Sequence, residues 1–253
     1  MSEETLQTEQ ERITEPATEK KPKKSSSGNN LDLGGLEFFF EKNKKAITYG
    51  GGALLAIIAF FSFYKFYWLP GQETEANNEL YIAQSYFERD SFNLALNGNV
   101  PVQTANGQVT MVGFLDIADN YSSTKAGNLA NYYAGICYLR TGKFQEAIEY
   151  LDKFNGKDEM LAPVAIGATG DAYMELNNVD EAIKYYLKAA EKSSNAFTTP
   201  IYLKKAGFAF EQKANYTDAL STYERLKSEY SRSSEARDID KYIARVKVLG
   251  NIQ

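Results

Sequence analysis

The sequence predicts an all-α protein: a single N-terminal transmembrane helix, then an α-solenoid of helical hairpins, closed by a C-terminal capping helix. Three observations predict it. A charge-free run of 19 residues, AITYGGGALLAIIAFFSFY, spans residues 46–64. Beyond it, one pattern of small and aromatic residues returns after 35 and again after 37 positions. Residues 231–250, after the last copy, then place apolar side chains at helical spacing.

The first element, residues 1–34, is rich in Glu, Lys, Thr and Ser and poor in apolar side chains. Such a segment buries too little surface to offset the entropy of ordering, so it reads as a disordered, charged arm. Residues 35–45 contain LEFFFEK, a short amphipathic helix whose three phenylalanines suit the membrane interface.

Residues 46–69 form the span. Twenty-four residues make a helix of about 36 Å, against a hydrocarbon core of about 30 Å. Lys65 lies one turn from the exit, where its stem can carry the ammonium to the headgroups, and Tyr64, Tyr67 and Trp68 sit at the same level. Pro70-Gly71 is expected to end the helix. The segment before Ala46 holds Lys42, Lys44 and Lys45, whereas the 19 residues after Leu69 hold no Lys or Arg. The positive-inside rule then places the N-terminus in the cytoplasm and the C-terminal part across the bilayer.

The repeats begin weakly. Ala83, Tyr86, Asp90, Phe92 and Ala95 make a degenerate copy within residues 76–127, interrupted near 97–125 by the turn-rich NGNVPVQTANGQV, a loop with room for a short hairpin. Full copies follow: Gly135, Tyr138, Gly142, Phe144, Ala147 and Leu151; then Gly170, Tyr173, Asn177, Val179, Ala182 and Tyr186; then Gly207, Phe210, Ala214, Tyr216, Ala219 and Tyr223. A glycine on the first helix lets the second helix cross closely, with an alanine as its small partner. Gly142 and Asn177 suit the left-handed turn that ends a first helix. Each hairpin leaves an apolar side that only the next hairpin covers. The last stretch, SRSSEARDIDKYIARVKVLG, carries Ile239, Ile243, Val246 and Leu249 on one face, and Ser233 or Ser234 is expected to cap its start.

This period, with Gly-x-x-Tyr and a later Ala, resembles the tetratricopeptide repeat (TPR). On that resemblance residues 128–162, 163–199 and 200–230 are three repeats and 231–250 is the solvating cap. The concave face of such a stack is lined by first helices. Register places Tyr132, Ile136, Leu139 and Arg140 there from the first repeat, Asp171, Met174 and Glu175 from the second, and Lys204, Phe208 and Glu211 from the third. The result is a mixed polar and apolar groove suited to a peptide or a partner helix.

Catalysis finds little support. The chain has no histidine, which removes Ser-His-Asp and Cys-His chemistry and the commonest ligand of zinc, copper and iron. Its one cysteine, Cys137, cannot form an intramolecular disulfide or a thiolate cluster. Lys and Arg number 28 against 33 Asp and Glu, so there is no basic excess for a phosphate backbone, and the aromatics read as core packing rather than a base-stacking platform. The expectation is therefore no enzyme, no cofactor, no nucleic acid and no small-molecule substrate.

One span, an N-inside orientation and repeats beyond the membrane, with the stretch TKAGNLANYYAGICYLRTGKFQEAIEYL, resemble the bacterial inner-membrane TPR proteins that are ancillary subunits of the Sec translocon. The resemblance implies a periplasmic repeat domain that meets translocon subunits, secreted clients or periplasmic chaperones. The alternative is a scaffold for a division or wall-synthesis machine of the cell envelope.

Overall fold

A computed structural model describes residues 33–105 and 107–253, with side chains described from Phe38 onward. The arm expected to be disordered lies, up to residue 32, outside the described residues. The chain divides into two units, residues 1–57 and 58–253.

In the first unit, α1 (Leu33–Lys42) carries Phe38, Phe39 and Phe40, all exposed. A turn at Asn43 separates it from α2 (Lys44–Phe63), which runs on into the second unit. No residue of α2 is buried. Among the described residues, the continuous helical stretch Lys44–Phe87 is the one long and apolar enough to cross a membrane.

Helical structure does not stop at Pro70. A π-helical turn, Tyr64–Trp68, links α2 to α3 (Leu69–Phe87). Pro70 stands in the first turn of α3, where a proline's fixed φ is tolerated and its missing N–H matters least. The Leu69 N–H reaches back to Tyr64 O, the wider π bond that lets the ladder pass the ring. Rings stack through this turn, Phe63 on Tyr67 at 6.0 Å and Tyr64 on Trp68 at 5.1 Å.

The second unit then builds four hairpins and a cap. The first pairs α3 with α4 (Phe92–Asn97). A two-stranded antiparallel hairpin follows, β1 (Gly98–Thr104) and β2 (Gly107–Val112), then α5 (Phe114–Asn120). The expected all-α class is corrected by this hairpin. Its β-branched residues alternate with polar ones and cannot present a helical apolar stripe. The full repeats are α6 (Lys125–Arg140) with α7 (Phe144–Lys153), α8 (Leu161–Glu175) with α9 (Val179–Lys192), and α10 (Thr198–Gln212) with α11 (Tyr216–Glu229).

All four hairpins turn the same way. Asp90, Gly142, Asn177 and Ala214 have φ of 56°, 76°, 58° and 55°. In each, an N–H five residues on closes onto the carbonyl of the repeat aromatic: Ser91 on Tyr86, Lys143 on Tyr138, Asn178 on Tyr173 and Asn215 on Phe210, at 2.9–3.0 Å. This is the Schellman closure that satisfies the orphan carbonyls of a helix end. The degenerate copy thus shares the turn of the full ones.

The glycines of the full repeats sit beneath second-helix side chains. A Cβ at Gly135 would meet Leu151 Cγ at 2.6 Å, one at Gly170 would meet Tyr186 Cδ1 at 2.8 Å, and one at Gly207 would meet Tyr223 Cε1 at 2.1 Å. The facing alanines Ala147, Ala182 and Ala219 are wholly buried. α3 joins the stack through buried Ala76, Leu80 and Ala83, packed in one core with Ala126, Ala130 and Ala134 of α6. The Glu73 carboxylate accepts from the N–H groups of Lys125 (2.7 Å) and Ala126 (3.1 Å) in the first turn of α6.

The cap helix α12 (Ile239–Leu249) begins later than the expected 231. Residues 231–238 are mostly turns, and the hydroxyl of Ser233 accepts from Ala236 N–H within them instead of opening the helix. Ile239 and Val246 are buried, but Leu249 is 55% exposed because α12 offers only one side to α11.

Candidate functional site

The first helices α6, α8 and α10 line a groove of about 960 Å³ in the second unit. Repeat register turns it into rows. One residue past each repeat glycine stand Ile136, Asp171 and Phe208, and five past stand Arg140, Glu175 and Gln212; all six line the groove. Tyr132, Leu139 and Met174, also expected there, join them, with Phe87, Phe144, Val164 and Ala168 as further apolar wall.

Two expected residues do not face it. Lys204 turns to the cap: its Nζ donates to Asp238 Oδ1 at 2.8 Å and lies 5.2 Å from the centre of the Tyr242 ring. Lys204 and Lys241 together hold the Asp238 carboxyl at about 2, well below its usual range. Glu211 is likewise engaged, accepting from Tyr223 OH at 2.6 Å and from Arg245 at 2.7 Å. In both cases the cap offers an opposite charge 34 residues away, and that pairing outweighs the register of a single helix.

Lys205, Tyr202, Tyr186 and Gln212 enter the groove without having been expected there. The Lys205 ammonium bonds both oxygens of Asp171 at 2.7 Å, and Tyr186 OH donates to the same carboxylate at 2.7 Å. The ammonium also lies 5.6 Å and 5.9 Å from the Tyr186 and Tyr202 ring centres. Burial first, and then the Asp171 charge, drive both phenols far above the usual tyrosine range. They are therefore neutral hydrogen-bonding groups at every physiological pH. Gly167 makes room for this floor, because a Cβ there would lie 1.9 Å from Tyr202 Cε1. The spacing of 34 between Asp171 and Lys205, close to one repeat, was the available sequence signal.

The site holds neutral phenols, one internally satisfied ion pair, apolar walls and three exposed polar ends. Cys137 is buried behind it, and burial pushes its thiol up to about 12, so no thiolate forms near neutrality. No group of three or more metal-ligating side chains occurs among the described residues. The arrangement can hold a chain segment by apolar contact and hydrogen bonding. Among the described residues lining it, the one phenol–carboxylate pair, Tyr186 with Asp171, is closed by the Lys205 ammonium.

Comparison with known proteins agrees with the repeat geometry. Tetratricopeptide repeat profiles match residues 129–157 and 203–233, and a second such profile matches residues 167–191. These ranges fall on α6–α7, α10–α11 and α8–α9, so the chain carries TPR repeats. The structure is similar to that of a candidate kinesin light chain from Podosopora anserina with nearly identical TPR-like repeats, and to that of a variant of the same protein. In each case identity is 11%, the TM-score is 0.50, and the match covers 71% of this chain and 88% of the other. That likeness is one of fold: a TPR-like, mostly helical solenoid. No curated protein matches the chain. TPR repeats generally mediate protein–protein contacts, and the chain is on that basis a protein-interaction module of a fold that is typically non-enzymatic.

Proposed function

We propose that this chain is a membrane-tethered adaptor of the bacterial inner membrane that holds protein segments in its concave groove. The N-terminus lies in the cytoplasm and the repeats in the periplasm, and the work done is protein translocation or chaperone hand-off beside the Sec translocon. The observation that carries the binding role is the convergence of apolar and polar groove side chains from three successive first helices onto one open surface. Tethering is supported by the apolar helix without a buried residue, by its lysine-rich N-terminal flank, and by the collar of Phe66, Tyr67 and Trp68, which the protein leaves exposed. Holding the groove at the membrane raises its effective concentration for segments emerging there.

Trp68 is the chain's sole tryptophan, so its fluorescence tests the tether directly. Brominated lipids should quench it in full-length protein reconstituted in vesicles; absence of quenching removes the span. Photocrosslinking in cells from position 66 or 67 then identifies the neighbour. Adducts with translocon subunits support the translocation role. Adducts with division or wall-synthesis proteins replace it with the envelope-scaffold role.

A further inference from the structure

The rim of the groove carries a charge pattern that no described residue answers with an ion pair. Arg140, Glu175 and Gln212 end α6, α8 and α10 at equivalent repeat positions, and all three are exposed. The other two charged side chains lining the groove, Lys205 and Asp171, pair with each other. Among the described residues Arg140 and Glu175 belong to none of the ion pairs.

The two differ in how they sit on their helices. A helix C-terminus carries partial negative charge, so Arg140 in the last turn of α6 is favourably placed. Glu175, the final residue of α8, stands against the same field, and no cation among the described residues is paired with it. A local rule broken without internal compensation is where a bound partner's charge belongs.

We propose that the groove's occupant is an apolar protein segment carrying one acidic and one basic side chain, the acid against Arg140 and the base against Glu175. The inference rests on the groove-binding reading above. Packed helices stand about 8–10 Å apart, so the two charges sit roughly three residues apart along an extended partner. The apolar side chains of the segment lie on Ile136, Leu139, Met174 and Phe208, while Gln212 offers an amide further along the same rim.

The test uses full-length protein in lipid nanodiscs, with empty nanodiscs as the blank. Three fluorescein-labelled ten-residue peptides share one apolar sequence and differ only at two positions three apart: Asp and Lys, Asp and Asp, or Lys and Lys. Fluorescence anisotropy should show the mixed-charge peptide binding about fivefold tighter than either other, the size of one exposed charge contact. Arg140→Glu, which makes both rim charges negative, should shift the preference to the Lys-Lys peptide. Glu175→Arg should shift it to the Asp-Asp peptide. Phe208→Ser, which removes apolar wall without adding charge, should weaken all three with an unchanged melting curve. Equal binding of the three peptides to all rim variants, with Phe208→Ser still weakening them, overturns the charge assignment and leaves the groove reading standing. Failure of every peptide to bind the folded protein overturns both.

Discussion

The first full repeat and the two that follow use the same glycine differently. In the first, Gly135 lies under the aliphatic Leu151, whose surroundings are apolar: Leu151, Ala165 and Ala168 pack with Tyr132, Ile136, Leu139 and Phe154, and the polar contact with the next repeat, Asp152 with Tyr185 and Lys188, lies on the second helices away from the glycine. In the second and third, Gly170 and Gly207 lie under Tyr186 and Tyr223. Each tyrosine hydroxyl donates a hydrogen bond to a carboxylate on its own first helix, and a cation from the next element completes the set. These triads are Tyr186–Asp171–Lys205 and Tyr223–Glu211–Arg245. An apolar contact tolerates small slips in register, whereas a triad closes only at one register. The polar key thus sits on the glycine's own tyrosine in the second and third repeats, and away from the glycine in the first. The apolar contact around Leu151 is also the one whose Tyr132, Ile136 and Leu139 line the groove.

The largest test of this contrast is Gly207→Leu. The Tyr223 ring leaves no space for a Cβ, and overpacking of this kind destabilises by about 3 kcal/mol. For a domain of this size a thermal melt should shift down by roughly 6–12 °C. Gly135→Leu should cost less, about 1 kcal/mol, because Leu151 can change rotamer more readily than a wholly buried tyrosine ring. Equal losses at both sites would erase the distinction.

Removing a key without altering packing comes next. Arg245→Met leaves Glu211, whose side chain is 12% exposed, with only the Tyr223 hydroxyl, and should lower stability by about 1 kcal/mol in urea unfolding. Lys205→Met should lower it by about 0.5 kcal/mol, since Lys205 and Asp171 are both more than a third exposed and solvent screens the pair. A reversed order would mean that the groove floor, not the cap, is the tighter lock.

The smallest effect is one of pH. Asp238 titrates lower in the folded chain than its usual 3.8, so its contribution is present above that value and is lost as pH falls through about 2. Between pH 4 and 2 the melting temperature of Asp238→Asn should therefore fall less steeply than that of the unaltered chain. Parallel curves would show that the Lys204–Asp238 contact adds nothing to docking of the cap.

Much of the fold was legible because repeats state their packing more than once. Gly142 and Asn177 announce a left-handed turn by residue type, and the same turn at Ala214 is recoverable only by alignment to them. The degenerate copy was readable through Tyr86 and Asp90 for the same reason. Continuation of the helix past Pro70 was not, because proline ends a helix at one position and begins one at the next, and only the π-helical turn decides between them. At the site, apolar positions followed register: Ile136, Leu139, Met174 and Phe208 all reach the groove. Two of the long charged side chains did not. Lys204 and Glu211 are turned by Asp238 and Arg245, 34 residues away in each case, and the neighbouring Lys205 takes the groove position. A flexible side chain goes to its best partner, and periodicity on its own helix does not show who that partner is.

Site-specific photocrosslinking in living cells tests the central claim most directly, with the probe placed at Ile136 or Phe208 in the groove and at the exposed Lys184 of α9 as the comparison. A groove that holds protein segments predicts discrete protein adducts from positions 136 and 208 and none from position 184. Adducts from position 184 with none from the groove would contradict it.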